Sequence, residues 1–325
     1  MRQDLLTTEH LPAETTQTLL DRSDYYLELL KRPGRWTTPS WAMAKPPPIS
    51  LRSQEGEPIL KGYTIANLFF EASTRTRTSF ELAERRLGAD VVTLTPAVSS
   101  LSKGESVLDT VRVLEAMRLD AIVVRHASAG IPQFLADHLP EHVHVINAGD
   151  GAHEHPTQAL LDAAEMRTAL GALRGKHVAI VGDILHSRVA RSNVWLLKSL
   201  GARVTFVAPE TLMPRDAAEV FGIKTTTNLD EVLPTADAIM MLRIQLERQA
   251  RGFFPSLEEY RAQYGMTPER MSRSKALILH PGPINHGIEL DSETAYGERS
   301  LVLRQVKRGV AVRMAVLELL FSITS

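Results

Sequence analysis

An α/β protein of two doubly wound parallel-sheet domains is the fold class this sequence predicts, on three observations. Its 325 residues exceed the usual size of one compact domain and suit two of roughly 150 each. From residue 63 onward, short β-rich apolar runs alternate with longer helical patterns, the rhythm of βαβ units. The alternation pauses once, at a helical pattern over 156–170 closed by Gly171 and Gly175, and then starts again.

Taken in order, the first element is a helix over 12–30. The stretch 32–58 holds Pro33, Gly34, Pro39, Pro46, Pro47, Pro48 and Gly56, too many breakers for regular structure, and reads as a long exposed loop. Strands are expected at 63–70, 91–94, 121–124 and 143–146, with a polar loop from Ser99 to Glu105 ahead of a helix over 106–117. The second series has strands at 178–181, 204–207, 238–242 and 276–279. A last helix over 301–322, apolar at Val302, Val306, Val310, Val312, Val316, Leu319 and Leu320, should pack broadly against another element.

Composition excludes several classes. A hydrophobic share of 44% with 23% charged residues is ordinary for a globular protein. With 37 basic against 38 acidic residues and no run of like charge, neither a nucleic-acid nor a membrane surface is expected, and any anion must be bound locally. The absence of cysteine removes disulfides, thiolate nucleophiles and Cys-ligated metals. The first thirty residues carry no apolar core of signal-peptide length, so a cytoplasmic protein is expected.

The most informative segment is Ser73-Thr74-Arg75-Thr76-Arg77, where an apolar strand gives way to a helix. A helix N-terminus offers free N–H groups and a positive dipole end. Three hydroxyls and the Arg75 guanidinium complete a phosphate cradle. A serine in such a place is more often only a helix cap, but a cap needs one hydroxyl, and arginines in a first turn oppose the dipole unless an anion is present. Arg77 lies two residues from Arg75 on the helix, points elsewhere, and suits an ion pair with Glu81 at i, i+4. The pattern is not a P-loop, which would need a Gly-rich turn ending in Gly-Lys-Ser or Gly-Lys-Thr.

A second turn, Asn147 to Gln158, ends at a helix with Pro156 as its first residue. His155 can aim a donor at a carbonyl oxygen where negative charge grows. His153, Glu154 and His155 lack the helical His-Glu-x-x-His spacing, so no metal site is expected. Asp183, after Val181-Gly182, lacks the Gly-x-Gly-x-x-Gly turn of a dinucleotide site. Arg188 and Arg243 each follow a strand, where ligands of open α/β sheets sit, and could grip carboxylates.

These motifs, in this order, resemble the aspartate and ornithine carbamoyltransferase family, whose phosphate motif is Ser-Thr-Arg-Thr-Arg. The resemblance implies a first, carbamoyl phosphate-binding domain over 1–153, an aspartate-binding domain over 154–299, and a final helix, 300–325, that packs back on the first. It implies a phosphate site of Ser73, Thr74, Arg75, Thr76 and Arg125, completed by Ser99 and Lys103 from a neighbouring subunit of a homotrimer with shared sites. Arg125, Thr76 and His155 would polarise the carbonyl, and Gln158 would meet the carbamoyl amino group. The Arg243-x-Gln245-x-Glu247-Arg248 signature resembles the aspartate branch, with Arg188, Arg243, Gln245 and Lys103 on the amino acid. Gly282 and Pro283 of His280-Pro281-Gly282-Pro283 would offer backbone carbonyls, where the ornithine branch has a cysteine nearby. Glu71 would pair with Arg188 or Arg248 to hold a closed form.

The implied activity is transfer of the carbamoyl group of carbamoyl phosphate to L-aspartate, toward pyrimidines, with no cofactor or metal. The small-molecule substrates are the expected partners, and a higher assembly with regulatory chains or a dihydroorotase is compatible with the family. Two other readings stand beside it. One is transfer to another amine. The other is a non-catalytic scaffold for a dihydroorotase, which should have lost the site residues that this chain retains.

Overall fold

The computed structural model describes residues 4–31, 58–94, 106–244 and 256–322. The Pro-rich stretch, the loop with Ser99 and Lys103, and Gln245 and Arg248 therefore lie outside the described residues, apart from Pro58. The chain divides into two compact units, one of Met1–Thr7, Glu14–Thr157 and Arg308–Ser325, the other of Thr8–Ala13 and Gln158–Lys307.

The first unit holds a parallel sheet of β1 (Thr64–Phe69), β2 (Asp90–Leu94), β3 (Ala121–His126) and β4 (His144–Asp150) in the order β2-β1-β3-β4. Helix α1 (Ala13–Leu30) precedes it. Helices α2 (Thr74–Leu87), α3 (Val107–Ala116) and α4 (Ile131–His138) connect successive strands. β1 and β4 are buried almost throughout because helices cover them, and the apolar alternation expected of a half-exposed strand is accordingly missing. One face of the sheet closes over Ala66, Leu68, Val111, Ile122, Val124, Leu135 and Val145.

The second unit repeats the plan. After α5 (Pro156–Leu170) come β5 (His177–Val181), α6 (Arg188–Ser199), β6 (Arg203–Val207), α7 (Ala217–Phe221), β7 (Lys224–Thr226), β8 (Ala238–Met241), α8 (Leu257–Tyr264), α9 (Pro268–Ser272), β9 (Leu277–Leu279) and α10 (Ser292–Tyr296). The sheet order is β7-β6-β5-β8-β9, all parallel.

Helix α11 (Val302–Ser322) is the expected last helix, and from Arg308 onward it belongs to the first unit. Its packing there is specific. Glu318 accepts from the Arg22 guanidinium and from Tyr26 Oη, all three buried, and Arg308 pairs with Asp24. Phe321 lies 4.7 Å from the ring of Tyr63 and 5.1 Å from that of His144. Val306 departs from the expected apolar stripe and is exposed.

Candidate active site

In the first sheet the chain leaves β1 for β2 on one side and returns to β3 on the other. The two adjacent loops after β1 and β3 diverge at this reversal, the place where open α/β sheets bind ligands. The loop after β1 is the Ser-Thr-Arg-Thr-Arg turn. Ser73, with extended backbone at φ −160°, caps α2, its Oγ accepting from Thr76 N at 3.4 Å. The ordinary capping role is thus filled, by a long bond that leaves the other N–H groups of the turn to solvent or an anion. Thr74 and Arg75 are exposed, Thr76 is buried, and no acidic residue occupies the first turn. Arg77 Nε sits 3.8 Å from Glu81 Oε1, the local pair its spacing predicts.

Arg125 comes to the same place from β3. Phe70 N donates to Arg125 O at 2.8 Å, which ties the turn to the end of β3. The Arg125 side chain, 11% exposed, donates from Nη1 to Ala148 O at 3.4 Å and lies with Nη2 3.5 Å from Glu71 Oε1. Within its own unit, then, Glu71 neighbours Arg125. The partners expected for it were Arg188, in the second unit, and Arg248, outside the described residues.

His155 is delivered by the end of β4. Asp150, buried, accepts from Gly130 N at 2.7 Å, Asn147 Nδ2 at 2.8 Å and Glu154 N at 3.1 Å, with His153 Nδ1 at 3.0 Å. Burial alone would raise the Asp150 carboxyl. The hydrogen bonds from His153, Gly130 and Asn147 outweigh it and hold the group below its ordinary value. Gly151 has φ +51°, and a Cβ there would meet Ala129 N at 2.8 Å and Ala127 O at 3.0 Å. The tightness of that turn sets His155, 4% exposed, directly before Pro156, the first residue of α5. His153 is thereby engaged with Asp150, and among the described residues no cluster of three potential metal ligands forms.

The second sheet reverses between β5 and β8, and the candidate arginines of this unit follow those two strands. After β5, Gly182 approaches β8 so closely that a Cβ would meet Leu242 O and Tyr260 Oη at 3.1 Å. Asp183 accepts from His186 N at 3.1 Å, Ser187 caps α6, and Arg188 is the first residue of that helix, 7% exposed. Arg188 thus follows β5 after a short turn and starts a helix. After β8, Arg243 is half-buried.

The His280 to Pro283 turn follows β9. His280 N donates to Gln305 Oε1 at 3.0 Å, Gly282 N donates to His280 Nδ1 at 2.7 Å, and the Gly282-Pro283 peptide is cis. Asn285 Nδ2 donates to Ile244 O at 3.1 Å, joining this turn to the segment carrying Arg243. Gln158, half-buried on α5, donates from Nε2 to Asp162 Oδ1 at 2.8 Å. The supporting residues Asp162, Gln305, Asn285 and Glu289, the last accepting from Asn285 N at 2.6 Å, escape the reading of the sequence. Asp162 and Glu289 left a signal, since each is a carboxylate in an apolar run, Leu160-Leu161-Asp162-Ala163-Ala164 and Ile288-Glu289-Leu290, and such a residue is costly unless partnered.

The family model of the aspartate/ornithine carbamoyltransferase carbamoyl-P binding domain matches residues 3–168, and that of the Asp/Orn binding domain matches residues 174–320. The aspartate carbamoyltransferase catalytic subunit of Desulfitobacterium hafniense is 51% identical over 98% of this chain and 96% of its own length. That of Syntrophus aciditrophicus is 46% identical over 100% of this chain and 99% of its own. Among solved structures, the catalytic subunit of M. jannaschii aspartate transcarbamoylase superposes with a TM-score of 0.79 at 33% identity, covering 99% of this chain and 98% of that one. Trypanosoma cruzi aspartate transcarbamoylase, solved with carbamoyl aspartate and phosphate, superposes with a TM-score of 0.78 at 29% identity, covering 97% and 94%.

Proposed function

The chain belongs to the aspartate/ornithine carbamoyltransferase family, and on that premise we propose that it transfers the carbamoyl group of carbamoyl phosphate to L-aspartate. The observation that carries the reading is the chemistry found at the two sheet reversals. The first presents hydroxyls, Arg75 and Arg125 at a helix N-terminus, fit for a phosphate; the second presents Arg188 and Arg243, fit for carboxylates. The product, N-carbamoyl-L-aspartate, enters pyrimidine synthesis.

The roles are those the family resemblance implies, and each suits the chemistry of its residue. Ser73, Thr74, Arg75 and Thr76 hold the phosphate with N–H groups of the α2 terminus. Arg125, Thr76 and His155 polarise the carbonyl oxygen, stabilising the charge that grows there as the amine attacks. Gln158 orients the carbamoyl amino group, while Arg188, Arg243 and Gln245 hold aspartate, with Gly282 and Pro283 offering carbonyls to N–H groups. No covalent intermediate is required. Phosphate leaves and accepts the amine proton, and positioning with electrostatic stabilisation supplies most of the acceleration. Ser99 and Lys103 complete the phosphate site from a neighbouring subunit of a cytoplasmic homotrimer.

The test is carbamoyl transfer by the purified protein, with aspartate and ornithine as separate acceptors. Carbamoyl aspartate is the expected product. Activity on ornithine alone would overturn the acceptor assignment, and activity on neither would favour a scaffold. For the shared site, inactive K103A and H155A subunits should regain activity when mixed and reassembled, and no recovery would argue for self-contained subunits.

A further inference from the structure

Asp162 is fully buried on α5 and accepts from three side-chain amides on three helices. Gln158 Nε2 donates to Oδ1 at 2.8 Å, Gln305 Nε2 to Oδ1 at 2.7 Å, and Asn193 Nδ2 to Oδ2 at 2.9 Å. An amide can present either end, so the polarity of such a network needs an anchor. Two backbone groups provide it. His280 N–H can only donate and takes Gln305 Oε1, which leaves Gln305 Nε2 for Asp162. Val189 O can only accept and takes Asn193 Nδ2 at 3.0 Å, so the same nitrogen faces Asp162.

Both Asp162 oxygens are thus acceptors by construction, and Gln158 has one way to bond there, with its nitrogen. Its oxygen must lie on the other side of the planar group. Gln158 is the one of the three amides that is only half-buried, whereas Asn193 and Gln305 are buried, so its oxygen is the one with access to a ligand.

We infer that Asp162 is a positioning residue for the transfer reaction: it fixes the amide polarity of Gln158 so that Oε1 accepts from the carbamoyl NH2. The inference rests on the proposed contact between Gln158 and that group. A donor facing the same amino group would repel it, so the acceptor must be set before the substrate arrives, and a ligand amide free to turn over would spend part of its time wrongly presented. A carboxylate is the side chain suited to the task, because it has no proton to give. In D162A a water can enter the vacated space, but water both donates and accepts and no longer dictates which end Gln158 shows.

The experiment is a double-mutant cycle on the full chain. Q158A and D162A should each lower kcat/KM for carbamoyl phosphate by about tenfold or more, in line with losses seen when a group that orients a contact residue is removed. The double variant should fall within about threefold of Q158A, since removing the oriented group leaves nothing to orient. Binding of inorganic phosphate, which has no amino group, should keep its Kd in all three, whereas general distortion would weaken it. Losses that multiply, or a D162A enzyme with undiminished kcat/KM beside an impaired Q158A, would overturn the role of Asp162. An unimpaired Q158A would overturn the substrate contact itself, and the inference with it. If D162A does not fold, a neutron crystal structure of the unaltered protein with carbamoyl phosphate, which locates the amide hydrogens, decides: Nε2 of Gln158 on Asp162 and Oε1 on the carbamoyl nitrogen supports the assignment, and the reverse orientation, or a Gln158 that leaves Asp162 to reach the ligand, refutes it.

Discussion

His155 is held by the turn after β4 with so little exposure that its position is set before any substrate binds. Its replacement by alanine should lower kcat by about 10² to 10³, the usual cost of one donor at a developing oxyanion, and change the Kd of carbamoyl phosphate much less. Equilibrium binding beside steady-state kinetics separates the two, and unchanged turnover would remove His155 from the chemistry. A second residue-scale effect lies under the phosphate turn. Asn67 Nδ2 on β1 donates to Glu84 Oε2 on α2 at 2.6 Å, and both residues are fully buried. Asn67 Oδ1 and Glu84 Oε1 are the atoms of this pair left without a hydrogen-bond partner, so a proton on Glu84 would let it donate in return. Burial, reinforced by Glu81 and opposed by the Asn67 bond and Arg85, pushes the Glu84 carboxyl up to about 8 from its usual 4.5. The folded chain therefore holds more protons than the unfolded one across that window. The contribution of Glu84 to stability is fully present below the lower value and declines as pH rises to and through the upper, by at most about 1.4 kcal/mol per pH unit. The variant E84Q, which keeps a donor at all pH, should melt with a weaker pH dependence; parallel melting curves for the two proteins from pH 5 to 9 would sink the idea. At this scale the sequence revealed residue types well and partners poorly. Ser73 reads as cap or ligand because one hydroxyl serves both, and Glu84 draws no reading at all because nothing local announces Asn67, seventeen positions away.

Among the elements, the turn from β4 to α5 is the most constrained. Gly151 combines a left-handed φ of +51° with backbone atoms at 2.8 and 3.0 Å from any Cβ. The substitution G151A should cost about 1–3 kcal/mol and displace His155, so that turnover falls along with the denaturation midpoint; a variant of normal stability and activity would mean the turn can relax. Strand positions were legible from apolar runs, and their ends were not. The ladder between β3 and β4 pairs Val124 with Asn147 and His126 with Asp150, continuing through polar residues because backbone groups, not side chains, make it. β7, Lys224–Thr226, was missed for a related reason: it is a short, largely exposed edge that carries no apolar pattern at all.

For the molecule as a whole, the decisive cluster is Arg22, Tyr26 and Glu318, which joins α1 to α11 inside the first unit. The variant E318A leaves the Arg22 guanidinium buried without its carboxylate, and should cost about 3–5 kcal/mol of unfolding free energy in denaturant titrations; a loss under about 1 kcal/mol would mean the pair is solvated. The sequence showed that the last helix needed a broad apolar partner. The family resemblance placed it on the first domain but could not show the residues that meet there, because Glu318 in Leu317-Glu318-Leu319 is an ordinary polar interruption until Arg22, 296 positions earlier, is placed beside it.

That separation bears on the order of synthesis. A ribosome releases the strands of the first unit early, yet α11 from Arg308 onward is made only after the strands of the second unit. Until then the nascent chain carries a guanidinium whose counter-charge does not exist. Of the two units, the one that begins folding first is thus the later to finish, and the emerging polypeptide passes through the synthesis of residues 158–307 with that site open to chaperones or to a neighbouring chain.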